Sequence, residues 1–569
     1  MFDIAGMRLL LYVFTVLLSF LSGESDSSDI VTLRPGKPLA SQMAESGVTY
    51  RINRNLDLKG DTLKVPEGCV LSFEGGVLCN GVLEGCNTEI TGAAEQIFDN
   101  VSFTGTFDNE IVRSEWFRFR NGMADNRDVF DAMMALACSD CHTDVYIQKG
   151  VYYTSVGPHQ KGIRIPDNTS VYNSAEIHAL PSSLEKYDII SICNVKNVLF
   201  EGGQIYGDVG EHIGDSGEWG YGIGLTGARK CTIKDVYISR CWGDGINVQA
   251  LYDDYLNQST EGHCYDITIE NVVCDDNRRQ GMSIEGCIGI SVLNSRFINT
   301  GKTQSTLPSA GIDIEPWFDT EVVSDVEISG CTFLENKGGG LICPLTLKQW
   351  ENKRCSGFNV SDNEFGDNVV RFNRVRDLVF SNNEVGTGSG LLEFNQYSDI
   401  VIESNRVNGT VSVYTEGDSE NGTFQDNVVK GGNRLSLAVD NIASNNIEGS
   451  LSLSEGVACV VCDNVMNAMD LKPGIDYSLV CDNTSVEIYD NVFTICSPMI
   501  FRYGSYVDIH GNTFVAADSL HPACLILQTS RSKNNLYDGV INRNMIRGDA
   551  EIAVNYSENG KYLVDDRIL

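Results

Sequence analysis

Five short stretches between Gly220 and Pro344 constrain this chain more than anything else in it. They read Gly222-Ile223-Gly224-Leu225, Gly245-Ile246-Asn247-Val248, Gly281-Met282-Ser283-Ile284, Gly311-Ile312-Asp313-Ile314 and Gly340-Leu341-Ile342-Cys343. Each opens on glycine and then alternates inward apolar with outward residues, the period of a strand and not of a helix. Successive copies begin 23, 36, 30 and 29 residues apart, which makes them a repeat. A repeat array grows its core along one axis, so the length of 569 residues does not by itself demand several domains.

A second repeat points the same way. An apolar residue is followed three positions later by Asn and five positions later by another apolar residue, as in Val360/Asn363/Phe365, Ile402/Asn405/Val407 and Ile488/Asn491/Phe493. The Asn positions run 363, 383, 405, 427, 445, 464, 491, 512 and 544. Asn tolerates left-handed backbone and bonds its own turn, so a stacked Asn at each corner is expected. Earlier coils keep the apolar pair without the Asn: Ile233/Ile238, Ile269/Cys274, Val292/Phe297 and Ile328/Phe333. Strand-rich coils of ~20 residues fit a parallel β-helix better than propeller blades of ~40. One helix is expected after Asn126, where Val129, Phe130, Met133, Met134 and Ala137 form a stripe at helical spacing.

Two further features bound the chain's surroundings. Leu9 to Leu21 is an apolar run after Arg8 with small residues at Ser22-Gly23, read as a secretory signal over residues 1–23. The mature chain is then expected to be exported, whether periplasmic, cell-surface or secreted, with no membrane span left after cleavage. Net charge is −35, which argues against nucleic acid as a partner. Most of the 19 Cys sit singly inside apolar strand patterns, as Cys231, Cys274, Cys331 and Cys343 do, and read as small core residues. Cys138-Ser139-Asp140-Cys141-His142 has the spacing of covalent haem attachment, but a local disulfide or two free thiols is the preferred reading.

The run Ser114-Glu115-Trp116-Phe117, the helix after it and Val145-Tyr146-Ile147-Gln148-Lys149-Gly150-Val151-Tyr152 resemble the opening of the pectate-lyase superfamily. The resemblance implies an all-β fold: a right-handed parallel β-helix over residues 111–569. A short β-rich cap over residues 24–110 and one capping helix precede it. It also implies action on a polysaccharide. Asp244 resembles the acid-bearing turn of family 28 glycoside hydrolases. That family has two consecutive Asp there, whereas this chain has Gly243-Asp244-Gly245, and its Gly-His-Gly is replaced by Gln280-Gly281-Met282.

The candidate chemistry follows from the glycine-led strands taken in register. The outward column two positions after glycine reads Gly224, Asn247, Ser283, Asp313, Ile342, and four positions after it Thr226, Gln249, Glu285, Glu315, Pro344. Glu285 and Glu315 should be neighbours ~5 Å apart on adjacent coils. Paired carboxylates separate their proton affinities into an acid and a base, as glycosidases require. The bland alternative is a set of solvated outward acids. Asp244, Asp313, Glu285 and Glu315 are the candidate catalytic acids. Arg278 and Arg279 are candidate clamps for substrate, against a bland reading as local ion pairs. Trp219, Tyr221, His212, Trp242 and Trp317 are candidate wall and platform residues, since sugar faces pack on aromatics. Glycoside hydrolysis is the leading expectation and needs no cofactor. A lyase or C5-epimerase on a uronate polymer would lean on Arg279, Tyr221 or His212 as base, and a lyase would call for Ca²⁺ among the acids. A non-catalytic glycan-binding or adhesin-like β-helix is the third reading, in which acids would scatter along the array. Oligomeric state stays open.

Overall fold

A computed structural model describes residues 30–547 and 561–568, apart from residues 139–140, 253–258, 416–418, 454–457 and several short stretches between 470 and 537. The proposed signal, residues 1–23, lies outside the described residues. Two compact units divide the chain, one holding the residues up to Arg118 with Ala135–Cys141, the other Phe119–Met134 with His142 onward. Among the described residues no helix is long and apolar enough to cross a membrane.

The first unit is a stack of parallel rungs. Tyr50 lies over Leu71 and Leu71 over Ile90, while Leu63 lies over Leu83 and Leu83 over Phe103. All six are buried. Cys138 and Cys141 form the local disulfide in this unit. Cys231, Cys274, Cys331 and Cys343 are free thiols buried in the core of the second unit, as expected.

The second unit is a parallel β-helix whose coils each contribute strands to three faces. The first face carries β1 (Lys186–Cys193), β2 (Trp219–Thr226), β3 (Ile246–Gln249), β4 (Met282–Ile284), β5 (Ala310–Ile314) and β6 (Gly339–Pro344). Each pairs in parallel with the next. On the second face Ile233, Ile269, Val292, Ile328 and Val360 stack in register. On the third, Ile238, Cys274, Phe297 and Phe333 do so. These are the apolar pairs expected of the early coils. Phe297, Phe333 and Phe365 continue as stacked rings, with centroids 5.5 and 4.7 Å apart.

The leading glycines mark where first and third faces press together. A Cβ on Gly245 would lie 2.7 Å from the Gly281 carbonyl and 2.9 Å from Cys274 Sγ. On Gly281 it would lie 2.5 Å from the Gly311 carbonyl and 2.9 Å from the Phe297 ring. No side chain fits there.

The Asn ladder is continuous, with one correction. Each Asn side chain accepts from the backbone N–H of the ladder Asn one coil earlier and donates to a carbonyl: Asn427 Oδ1 takes Asn405 N–H at 2.9 Å, and Asn427 Nδ2 donates to Ile402 O at 2.9 Å. The ladder Asn are not the left-handed residues. Those are the residues just before them, Asp362, Asn382, Ser404, Asp426, Ser444, Asp463 and Asp490, with φ from 55° to 59°. The ladder side chain serves the neighbouring coils, and at Asn464, Asn491 and Asn512 its Nδ2 also donates within its own turn, to the Cys462, Tyr489 and His510 carbonyls. A second ladder, not evident from sequence, holds another corner: Asn277, Asn336 and Asn368 accept from Cys241, Thr300 and Asn336 N–H.

Helix α1 (Arg127–Met134) forms where the apolar stripe predicts it, with Phe130 edge-on to Phe119 at 5.2 Å. Its first N–H is taken by Asp125 Oδ1, while the Asn126 side chain accepts from Arg120 N–H. A second helix, α2 (Leu347–Glu351), follows β6. Thr346 and Gln349 close a capping box that starts it, and Gln349 Nε2 donates to Pro316 O at 2.7 Å.

The ladder yields a test. Asn427→Ala removes the donor to Ile402 O and leaves Asn405 N–H without its acceptor, both buried. We expect a loss of about 3 kcal/mol in denaturant unfolding, against less than about 0.5 for the exposed Lys430→Ala. Equal, small effects would mean the ladder adds no stability.

Candidate active site

Register alone aligns the polar columns. Gly224 pairs with Asn247, Asn247 with Ser283, Ser283 with Asp313 and Asp313 with Ile342. In the next column Thr226 pairs with Gln249. Glu285 and Glu315 extend it, their N–H groups bonded to Val248 O and Ile284 O. Both columns match the expected order.

Their environment does not match the solvated alternative. Asn247, Ser283, Asp313, Asp244 and Gln280 are fully buried, and Arg279 and Glu285 are nearly so. Arg279 reaches from the turn before β4, where its N–H bonds Gly243 O. Its guanidinium contacts Asp244 Oδ2 at 3.4 Å and is ion-paired with Glu315. Ser283 Oγ donates to Asp244 Oδ2 at 2.6 Å, Gln280 Nε2 to Asp313 Oδ2 at 2.7 Å, and Asn247 Nδ2 to Glu285 Oε1 at 2.8 Å. Asp244 Oδ1, Asp313 Oδ1 and Arg279 Nε are buried without a partner inside the chain.

Burial of several acids around one cation spreads their proton affinities. Burial pushes the Asp244 carboxyl up to about 6, with Arg279 opposing the rise. Burial, then Glu321 and Glu315, pushes Glu285 up to about 8, with Lys186 opposing. Asp313 is raised well above the carboxylate range by burial and by Glu315. Burial would pull Arg279 down, but Asp244 and Glu315 outweigh it and lift its proton affinity.

Glu285 opens onto a cavity of about 370 Å³. Trp219, Tyr252, Trp317 and Phe318 give it aromatic walls, Tyr221 is part of its lining, and His159, Lys186 and Glu321 add polar groups. Trp317 and Tyr252 are exposed and Tyr221 is buried. Burial, then Glu285 and Asp244, raises the Tyr221 phenol well above its ordinary value.

The candidate residues thus separate into two groups. Asp244, Asp313, Glu315, Glu285 and Arg279 converge, with Trp219, Tyr221 and Trp317 on the adjoining cavity. Arg278, Trp242 and His212 are drawn elsewhere. Arg278 donates to Gly217 O at 2.9 Å and lies 3.7 Å from the Trp242 ring centre. His212 stacks on Trp242 at 3.9 Å and pairs with Asp208 at 2.9 Å. These are packing partners of a buried stack and do not line the cavity. Consecutive side chains on an extended turn point to opposite sides, which parts Arg278 from Arg279.

His159, Lys186, Tyr252, Phe318 and Glu321 were not evident from sequence. Lys186 lies on β1, a rung with no leading glycine, and the others lie in loops without period. Two groups of potential metal ligands occur among the described residues, Asp108 with Cys138 and Cys141, and Glu487 with Asp508 and His510. Neither includes an acid of this site.

Residues 143–323 match the family model described as the right handed beta helix region. This segment is a right-handed β-helix. The fold implied by the resemblance to the pectate-lyase superfamily is therefore present. The uncharacterized protein YclG of Bacillus subtilis is 28% identical over 221 residues, covering 36% of this chain and 37% of that protein. The SPbeta prophage-derived uncharacterized protein YorA of Bacillus subtilis is 26% identical over 249 residues, covering 41% and 40%. The chain thus spans less than half the length of these curated relatives. Among solved structures, the A-module of the Azotobacter vinelandii mannuronan C-5 epimerase AlgE4 is 12% identical with a TM-score of 0.33, over 79% of this chain and 99% of that one.

The raised Glu285 makes a pH prediction. Its ordinary value is 4.5 and its folded value about 8, so between these the folded chain holds more protons than the unfolded one. Stability therefore falls as pH rises through that window, by roughly 4–5 kcal/mol if the shift is realised in full. Glu285→Gln should flatten the fall in unfolding free energy measured from pH 4.5 to 8.5. Parallel curves for the two proteins would show that Glu285 ionises normally.

Proposed function

We propose that this chain is an exported enzyme that hydrolyses a polysaccharide in the cavity beside β3 to β5. The observation that carries the proposal is Glu285: a nearly buried carboxyl, one rung from the Arg279-bound Glu315, lining an aromatic-walled cavity, with its proton affinity raised by that burial. In this reading a sugar ring packs against Trp219 and Trp317, and Glu285 gives its proton to the glycosidic oxygen as the bond breaks. Asn247 donates to Glu285 Oε1, so the proton rides on Oε2. Glu315 supplies negative charge for the positive charge that develops on the sugar. The apolar run at residues 9–21 supports export.

Physical arguments favour hydrolysis over the lyase or epimerase reading. Arg279 is held protonated by Asp244 and Glu315, and the Tyr221 phenol is buried with its proton affinity raised. His212 is occupied by Trp242 and Asp208. The three bases that reading relied on are each poor proton acceptors or out of reach. Convergence of the acids on Arg279 weighs against a purely adhesive array.

The full chain should be screened against acidic and neutral polysaccharides, reading reducing ends and unsaturated-uronate absorbance with and without EDTA. We expect reducing ends without the unsaturated product, and a kcat about 10²–10⁴-fold lower in Glu285→Gln. Glu315→Gln should lower it as well. An unsaturated product lost on EDTA treatment would replace hydrolysis by a metal-dependent lyase. Glycan binding without cleavage would leave a binding module.

A further inference from the structure

Next to Glu285 in the outward column stands an amide whose orientation is fixed from behind. Gln249 lines the cavity and is only 8% exposed. Thr226 pairs with Gln249, Val248 pairs with Ile284, and Glu285 N–H bonds Val248 O. Gln249 and Glu285 are therefore successive in the column, one rung of ~4.8 Å apart. A chain of hydrogen bonds reaches the amide from β1. Asp188 is buried there, and its Oδ2 accepts from Gln160 N–H at 2.8 Å and from Ser191 Oγ at 2.6 Å. Its Oδ1 lies 2.8 Å from His159 Nδ1.

These partners decide which way the amide points. A carboxylate only accepts, so His159 Nδ1 carries the proton given to Asp188. The single lone pair of Nε2 is taken by the Gln249 amide nitrogen, which can only donate. The same nitrogen gives its second hydrogen to Thr226 Oγ1 at 3.2 Å. Both amide hydrogens are thus used inside the chain, and Oε1 is the end left over. It bonds no described residue and, unlike Asn247 Oδ1 and Asp313 Oδ1, it is not sealed inside the protein. Donation by the amide nitrogen also strengthens its carbonyl as an acceptor. A turned amide would set Oε1 against the lone pair of His159 Nε2, so the Asp188–His159 pair excludes it.

We propose that Gln249 Oε1 is a specificity contact of this cavity, accepting a hydrogen bond from a hydroxyl of the sugar ring beside Glu285, with His159 and Asp188 as its positioning residues. The inference rests on the reading of the cavity as a sugar site and adds which group of the sugar is recognised. An oriented carbonyl welcomes a donor and repels another acceptor. A ring with a hydroxyl at this position is therefore selected over one with a carboxylate there, and over one with neither. His159 takes no part in proton transfer, since both of its nitrogens are engaged in holding the amide.

Two experiments test this on the full chain. Imidazole ¹H–¹⁵N correlation spectra, with His159 assigned by the signal lost in His159→Phe, should show the proton on Nδ1 and none on Nε2. A proton on Nε2 would turn the amide over and overturns the proposal whatever the glycan. On a glycan of the screening panel that the unaltered chain cleaves or binds, Gln249→Met should raise KM or Kd about 10-fold, with any kcat within a few-fold. Among monodeoxy analogues of that glycan, one should show the same loss with the unaltered chain and no further loss with Gln249→Met. His159→Phe and Asp188→Asn should each weaken binding on their own and add nothing to Gln249→Met, an outcome that general destabilisation would not give. Cleavage with losses that add in full, or with no loss in Gln249→Met, overturns the proposal alone. Binding that depends on Gln249 without cleavage overturns hydrolysis alone. Neither binding nor cleavage of any panel glycan overturns both readings.

Discussion

A column of glycines sets the geometry on which the rest of this β-helix depends. At Gly222, Gly245, Gly281 and Gly311 a Cβ would meet the carbonyl of the next glycine in the column at 2.5–2.7 Å. The first face can therefore lie directly against the third-face side chains Ile238, Cys274, Phe297 and Phe333. Close contact leaves no freedom to slip. Because strand side chains alternate with a period of two, a slip by one residue would turn every polar group of the columns into the core. Steric fit at one edge of the strands thus holds Asn247, Ser283 and Asp313 in line, two residues away.

That alignment permits an arrangement that is unfavourable in isolation. Asp244, Asp313 and Glu315 gather near one guanidinium, with Glu285 beside them on the next rung, and two of the four are fully buried. Burying a carboxylate costs several kcal/mol unless it is paired or keeps its proton. The chain uses both remedies. Arg279 neutralises Glu315 and restrains the rise at Asp244, while burial favours the protonated form at Asp313 and Glu285. Hydrogen bonds from Ser283, Gln280 and Asn247 fix which oxygen of each carboxyl stays open. Buried ionisable groups and unpartnered polar atoms gather here, which is what singles the cluster out as a candidate site.

Much of this was legible in the sequence because it depends on period. Glycine followed by alternating residues gave the strands, their register and both polar columns, and the Asn block gave the ladder. Period says which side of a strand a residue faces and nothing about what covers that side. The outward acids are buried because Arg279, Gln280 and loops from distant positions close over them. His159 meets Gln249 across 90 residues, a contact no local pattern encodes. Trp242 and Asp244 are two residues apart, yet one enters a stack with His212 and the other the acid cluster. The second Asn ladder escaped notice because insertions break its spacing. The Asn382-Asn383 pair illustrates the finer limit: both look suited to a left-handed turn, and only the first occupies it.

The separation of proton affinities across the cavity gives the site its direction. Two identical carboxyls in identical surroundings would titrate together and could not divide the roles of donor and acceptor. Here Glu285 and Glu315 have the same side chain on neighbouring rungs, but only Glu315 touches Arg279, while Glu285 faces aromatic walls with Glu321 nearby. Environment alone distinguishes them. The other polar groups of the cavity are held as firmly as the acids. His159 is engaged at both ring nitrogens, by Asp188 at Nδ1 and by the Gln249 amide at Nε2. The lining comes from different coils, Lys186 on β1 and Glu285 just after β4. The parallel array brings them together by stacking, without any segment of sequence containing both.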